Sequence, residues 1–281
     1  MKTQNNSLSP VYTGEIKLYP HQVEALWRMP EMEKNGKGGV LAFCPGLGKT
    51  ITMISHLKHM KRDEMSGGCD LIVCPVSVIS HWVKEILSIY SDSEKKPSIL
   101  VYHGSKRDPR MVSKNWDYII TTYDILKSTE GGGSYEIKKR FTRMIIDEAH
   151  NIKNGSRKKC PALATAAFEF SKKSKFKWCI TGTPFNNSIM DLASLAMFIG
   201  MEGYTNPEDW KCGNIDVSEW CDKHVILMRK DGLLKEPLYH DLIVTPTTKE
   251  AQLIEALRDV ASKQYEAWME AEGKDRIKEQ G

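Results

Sequence analysis

LAFCPGLGKT, residues Leu41 to Thr50, runs from β-leaning apolar and small residues into a glycine-bounded turn that ends on a lysine and a threonine. A strand that stops in such a turn and opens a helix aims backbone N–H groups at whatever precedes the helix. The helix dipole then favours an anion there. In that geometry Gly46, Leu47, Gly48, Lys49 and Thr50 form a phosphate loop, with Lys49 reaching the β- and γ-phosphates and the Thr50 hydroxyl ligating Mg2+. The strict pattern places a glycine five residues before Gly48, where this chain has Phe43. Taken alone, the stretch fits either a nucleotide loop or a plain glycine turn.

RMIIDEAH, Arg143 to His150, offers the other half of a phosphate site. An apolar strand ends there in adjacent carboxylates, at the carboxyl edge where open α/β sheets bind ligands. Asp147 suits a magnesium ion, usually held through water, and Glu148 suits polarising an attacking water. By itself the pair also fits a solvated acidic strand end. A third run, CITGTP (Cys179 to Pro184), ends another strand in a polar turn and sets Thr181 and Thr183 near the same edge. Three strand-end motifs in order, each supplying what the others lack, point to one nucleotide site.

The rest of the chain fits around that edge. VLAF, DLIVC, SILVYH, DYIITTY, RMIIDEA and KWCIT alternate with helix-length segments from about Val40 to Ile199. Several are apolar on successive residues, as strands buried on both faces of a parallel sheet are. This alternation predicts a doubly wound α/β domain. In SVISHWVKEILSIY, Val78, Trp82, Ile86 and Ile89 recur at helical spacing, so Trp82 is read as a core anchor. Gly131-Gly132-Gly133-Ser134 reads as a loop, and the basic run KNGSRKK (153–159) as solvated surface. Beyond Gly200 a mostly helical stretch carrying Trp210 and Trp220 is followed by LYHDLIVTP, read as a strand. A long helical run from Thr247 shows no stop signal, so the chain is expected to continue into a further domain. The expected division is a lead-in over 1–17, an ATP-binding lobe over 18–246 and a helical segment over 247–281.

Composition narrows the class. The 281 residues are 41% hydrophobic and 27% charged, enough for a full core, with a formal charge of +4 that permits a nucleic-acid surface without announcing one. The seven cysteines form no C-x-x-C pair. Cys212, Cys221 and His224 are the one loose cluster, read as small hydrophobes and a surface histidine. No apolar run reaches membrane-spanning length and the polar N-terminus is unlike a secretory signal. The expected location is nuclear or cytoplasmic or, for a viral source, a replication site or virion.

These motifs together resemble helicase superfamily 2, specifically the Swi/Snf-type ATPases of chromatin remodellers and related DNA translocases. The resemblance runs from about Leu18 to the C-terminus. LYPHQVEAL resembles the adenine-reading segment, with Gln22 at the base-contacting position and Tyr19 and His21 in place of the usual arginine and tyrosine. GLGKT matches the first motif and DEAH the magnesium and water motif. LIVCPVSVISHWVKEI and IITTYDIL resemble two DNA-facing motifs, implying DNA contacts through Pro75 and Ser77 and through Thr121, Thr122 and Tyr123. Thr121 and Thr122 also fit as ordinary strand residues. ITGTPFNNSIMDLASLAMFI is similar to the coupling motif, with Asn186 and Asn187 for a glutamine–asparagine pair, and gives Thr181, Thr183 and His150 coupling roles. HVILMRKD resembles a basic segment late in the first lobe, with Met228 where an arginine is usual.

The resemblance implies a P-loop RecA-like lobe that binds ATP and Mg2+ and works on duplex DNA without sequence preference. It implies a second RecA-like lobe supplying arginine fingers, so the first lobe alone is expected to be nearly inactive. A nucleosome and an RNA polymerase are both open as partners, the latter as in transcription ATPases of the poxvirus-like kind. An ATPase-dead DNA-binding module is the remaining alternative.

Overall fold

The computed structural model describes residues 12–13, 16–60, 68–91, 95–105, 107–130, 139–152, 162–183, 188–229 and 255. The chain divides into two compact units, Met1–Asp231 and Gly232–Gly281, and all three strand-end motifs lie in the first. Most of the expected lead-in, the loop at 131–134, the basic run at 153–159, Asn186, Asn187, the strand at 238–246 and, apart from Glu255, the helical segment at 247–281 lie outside the described residues.

A two-residue antiparallel pair, β1 (Tyr12–Thr13) and β2 (Ile16–Lys17), precedes helix α1 (Pro20–Gly36). There follow β3 (Gly38–Phe43), α2 (Lys49–His59), β4 (Asp70–Val73), α3 (Ile79–Ile89), β5 (Ile99–Tyr102) and α4 (Pro109–Val112). Next come β6 (Tyr118–Thr121), α5 (Tyr123–Glu130), β7 (Phe141–Asp147), α6 (Ala162–Ser171) and β8 (Ser174–Ile180). Helices α7 (Ile189–Ile199), α8 (Pro207–Lys211) and α9 (Val217–His224) lead to β9 (Val225–Met228).

Seven of these strands form one sheet in the order β5-β6-β4-β7-β8-β3-β9, every pairing parallel. Every residue of β3, β4, β6 and β7 is buried. That is why their sequences are unbroken apolar runs and not alternating ones. Side chains alternate between two cores. On one face Leu41, Phe43, Ile72, Ile145 and Trp178 meet Met29 of α1, Met53 of α2 and Trp82 of α3. On the other Val40, Ala42, Leu71, Val73, Met144 and Ile146 meet Leu126, Ala167, Leu195 and Trp220 from α5, α6, α7 and α9. The α3 stripe is as expected, with Trp82, Ile86 and Ile89 fully buried and Val78 packed beside them.

Two expectations need correction. The VILM stretch of HVILMRKD is strand β9, a parallel partner of β3 from Val40↔Val225 to Phe43↔Met228. Its apolar, partly β-branched run is a strand signal, obscured by the basic residues after it and the helical pattern before it. His224 is buried, not a surface residue. It packs among Tyr204 and Trp220, with Trp210 edge-on to Trp220 at 5.4 Å.

Near the opposite, amino end of the strands a buried ionic cluster ties the layers together. The Glu33 carboxylate of α1 accepts from Arg143 Nε and Nη2 of β7 at 2.7 and 2.9 Å and from Trp178 Nε1 of β8 at 2.9 Å. It also meets His56 Nε2 of α2 at 2.9 Å, and Arg143 lies 3.6 Å from Asp70 of β4. Burial by itself pushes Glu33 up, but the bonds and charges of His56 and Arg143 outweigh it and hold the carboxyl at about 2. Among the described residues no helix is long and apolar enough to cross a membrane.

Candidate nucleotide site

Strand order accounts for the convergence of the three motifs. β3, β8 and β7 lie side by side in parallel, so the loops after Phe43, Ile180 and Asp147 leave the same edge next to one another. Asp147 pairs with Ile180 in register, and Thr181 N–H donates to Leu41 O at 3.2 Å.

After β3 the chain turns through Gly46 (φ 87°) and Gly48 (φ 77°) into α2. Gly48 is the N-cap and no side chain caps the helix. Among the described residues no side-chain oxygen caps the first-turn amides, which leaves them disposed toward an external anion. A Cβ at Gly46 would meet nothing within 4 Å, so the loop is open above that residue. At Gly48 φ favours glycine, and a Cβ there would lie 2.1 Å from Gln22 Nε2, so the Gln22 amide would have to shift. Lys49 is half-buried and its Nζ donates to Phe43 O at 3.0 Å, folding the amine back over its own loop. Thr50 sits half-buried in the first turn of α2. Leu47 is buried beneath the loop.

The acids stand beside this loop. Asp147 is buried; its Oδ2 accepts from Trp82 Nε1 at 2.8 Å and its Oδ1 from Glu148 N at 2.9 Å. Burial raises the Asp147 pKa above the usual carboxylate value, the neighbouring Glu148 charge adds to this, and the Trp82 bond and the Lys49 charge oppose it. Glu148 adopts the left-handed backbone region (φ 54°), uncommon for a residue with a Cβ and frequent at functional sites. Its carbonyl is held by Asn151 Nδ2 at 2.9 Å. The half-exposed carboxylate meets His150 Nδ1 at 3.1 Å.

Thr181 is buried and its hydroxyl accepts from Thr183 N at 3.1 Å, so it shapes its turn; Thr183 is exposed. Gly182 lies against Pro45 and Lys49, with a Cβ there 3.8 Å from Lys49 Nζ. The third motif therefore closes on the first. Gln22 is buried, its Oε1 accepting from Tyr19 N at 2.8 Å and its Nε2 reaching Leu47 O and Gly48 O at 3.4 Å. In this structure its amide fastens α1 to the phosphate loop.

The residues expected to face DNA divide. Pro75 is half-buried and Ser77 exposed, on a short 3-10 turn before α3. Thr121, Thr122 and Tyr123 are buried, and the Thr121 hydroxyl donates to Tyr102 O at 2.7 Å. Thr121 ends β6 and Tyr123 opens α5, so these three side chains pack into the lobe. Tyr123 donates its hydroxyl to Asp147 O at 2.5 Å, gripping the backbone of the acidic motif.

Two residues at the site have roles that sequence pattern does not reveal. Trp82 anchors its helix and also holds Asp147, a pairing that spans 65 positions. His21 reaches Leu47 O at 3.0 Å and packs edge-on to Phe43.

Comparison with known proteins places this geometry. The chain resembles the Sulfolobus solfataricus SWI2/SNF2 ATPase core in complex with dsDNA, at 29% identity and a TM-score of 0.57, covering 79% of this chain and 46% of that one. Transcription termination factor 2 of Drosophila melanogaster is 29% identical over 234 residues, which are 70% of this chain and 21% of that protein. The ATP-dependent DNA helicase DDM1 of Arabidopsis thaliana is 31% identical over 224 residues, 73% of this chain and 26% of that protein. The chain thus spans about a fifth to a quarter of these two curated relatives. Residues 21–263 match the family described as SNF2-related domain. With the RecA-like sheet, the glycine loop and the tandem acids in place, the chain belongs to the SNF2-related domain family as a Snf2-type ATPase lobe of helicase superfamily 2.

Proposed function

We propose that this lobe binds ATP with Mg2+ at the loop Gly46–Thr50 and supplies half the machinery of a DNA-dependent ATPase that moves along duplex DNA. The observation that carries this reading is the meeting of the three motifs at one sheet edge: a Cβ at Gly182 would lie 3.8 Å from Lys49 Nζ, and Asp147 pairs in register with Ile180 of β8, the strand that leads to Gly182, beside a glycine-turned helix start.

In this reading the first-turn amides of α2 and the Lys49 amine hold the β- and γ-phosphates, Lys49 exchanging its bond to Phe43 O for one to phosphate. Thr50 and Asp147 are the oxygen donors for the metal, and Trp82 keeps the Asp147 carboxylate aimed. The ion, when bound, neutralises charge on the transferring phosphoryl group. Glu148 orients the attacking water and accepts its proton at the carboxylate, in an orientation kept by its backbone and by His150. Gln22 gives one edge of its amide to adenine by releasing the long bonds to the loop. Thr183, with Thr181 setting its turn, and His150 carry the nucleotide state toward DNA, whose phosphates meet the Pro75–Ser77 turn.

Family likeness and the short span relative to the curated proteins support a second RecA-like lobe as the partner. An arginine supplied across such an interface contributes about 10³ to 10⁵ in rate, so this lobe alone is expected to turn over ATP very slowly. The likeness to a transcription termination factor supports a second reading, in which the ATPase serves a polymerase assembly. Co-purification with RNA polymerase distinguishes the two. In the complete two-lobed protein, Lys49→Ala and Glu148→Gln are each expected to lower DNA-stimulated ATP turnover by about 10³ or more while leaving the circular dichroism spectrum unchanged. Wild-type turnover in either variant refutes the assignment.

A further inference from the structure

The sheet ends on one side at β5, and among the described residues no strand pairs with its outer edge. Tyr118 N–H donates to Ser98 O, so Ser98 faces β6. Because a strand's polar backbone groups alternate in direction, Ile99 and Val101 turn their N–H and C=O groups outward. Exposed edges are commonly blunted by proline, lysine or a bulge. Ile99-Leu100-Val101-Tyr102 contains no proline or lysine and pairs with β6 in unbroken register.

Beside this edge a groove runs between β5 and the outer face of α3. Its apolar lining is unusually open, with Val76 57%, Leu87 41% and Val101 40% exposed, and Val83 partly buried between them. Among the described residues Lys84 and His103 supply the ionisable groups of the lining, with no carboxylate beside them. None of these side chains belongs to the nucleotide site, and α3 is anchored from its other face by Trp82.

We propose that the β5 edge and this groove form a strand-addition site for an extended segment of a partner protein, apolar at alternate positions and flanked by carboxylates. The outward amides of Ile99 and Val101 bond its backbone, alternate apolar side chains enter the groove, and acidic flanks meet Lys84 and His103. Val76 borders the turn assigned above to DNA, so the peptide site is the remainder of the groove, from Ser80 to Leu87 beside Val101. There duplex DNA is the less fitting occupant, because phosphate tracking calls for a row of cations where this floor is valine and leucine.

A 12-residue phage-displayed peptide library selected against the full chain tests this. Enriched peptides are expected to alternate apolar residues between acidic ends. Each is expected to lose about tenfold or more in affinity for Val101→Pro, Leu87→Asp and Lys84→Glu, the last two leaving the strand backbone intact. Binding of a synthetic copy is expected to slow amide exchange at Ile99 and Val101. Three results overturn the proposal: no acidic alternating sequence is enriched; the enriched peptides bind Leu87→Asp and Lys84→Glu as tightly as wild type; or they bind without protecting those amides. Duplex DNA affinity that falls with Lys84→Glu, with no peptide enriched, assigns the groove to nucleic acid instead.

Discussion

Trp82 donates to Asp147 across a distance of 65 residues in the chain, and the bond acts on both partners. It satisfies an indole N–H inside the core and fixes a carboxylate whose pKa burial has already raised. Trp82→Phe keeps most of the packing and removes the bond, so the Asp147 pKa should rise further. A protonated Asp147 is a poor metal ligand, so Mg2+-dependent nucleotide binding is expected to weaken by about 10- to 100-fold and to fail at milder acidity than in wild type. A magnesium titration of nucleotide affinity at several pH values measures this; an unchanged curve removes Trp82 from the site. At Gly48 the constraint is the left-handed backbone. Gly48→Ala forces a Cβ against Gln22 Nε2 with φ at 77°, and is expected to cost about 1–3 kcal/mol, seen as a lower midpoint in thermal unfolding. A midpoint equal to wild type indicates that Gln22 moves aside freely and that the backbone is unstrained.

Among the elements, α1, α2, β4, β7 and β8 are joined by the Glu33–Arg143 cluster, at the amino end of the strands and away from the nucleotide loop. Removing one charge from such a buried pair leaves the other uncompensated, so Glu33→Gln is expected to destabilise the fold by about 3–5 kcal/mol in urea unfolding. The pH dependence has a definite sign. Glu33 is lowered from 4.5 to about 2 by its partners, so its contribution is fully present above 4.5 and is lost as pH falls toward 2. That loss approaches about 3 kcal/mol, taking roughly 1.4 kcal/mol per pKa unit. Glu33→Gln should therefore show a shallower acid slope than wild type; identical slopes remove Glu33 as its source. The sequence could not show this cluster, because Glu33, His56, Asp70, Arg143 and Trp178 come together only once the strand order is known. β3, β4, β6 and β7 were legible because burial on both faces leaves long apolar runs. β9 was not, because its four residues fall between a helical stretch and a basic one. Local pattern likewise marked Lys49, Asp147 and Glu148, each at a strand end, but could not separate a DNA-facing Thr121 from one buried under Tyr102.

For the whole molecule, the seven parallel strands make the site a property of order and not of proximity in sequence. β3 is inserted between β8 and β9, which brings the loops after residues 43 and 147 to one edge on either side of β8 and, among the described residues, leaves the outer edge of β5 unpaired. The proposed nucleotide site and the proposed strand-addition site thereby fall on separate parts of one lobe, and a variant such as Leu87→Asp is expected to leave ATP turnover of the proposed two-lobed protein within about twofold of wild type. A loss as deep as that of Lys49→Ala would tie the groove to the catalytic cycle. The most direct test of the central claim replaces Mg2+ by paramagnetic Mn2+ bound with ATP and follows the backbone amide resonances of the chain. Broadening centred on Gly48, Lys49, Thr50, Asp147 and Glu148 and weakening along the strands to Phe141 and Ser174 at their amino ends is the predicted result. Broadening of the phosphate loop without the acidic pair, or of neither, contradicts a shared triphosphate–metal pocket.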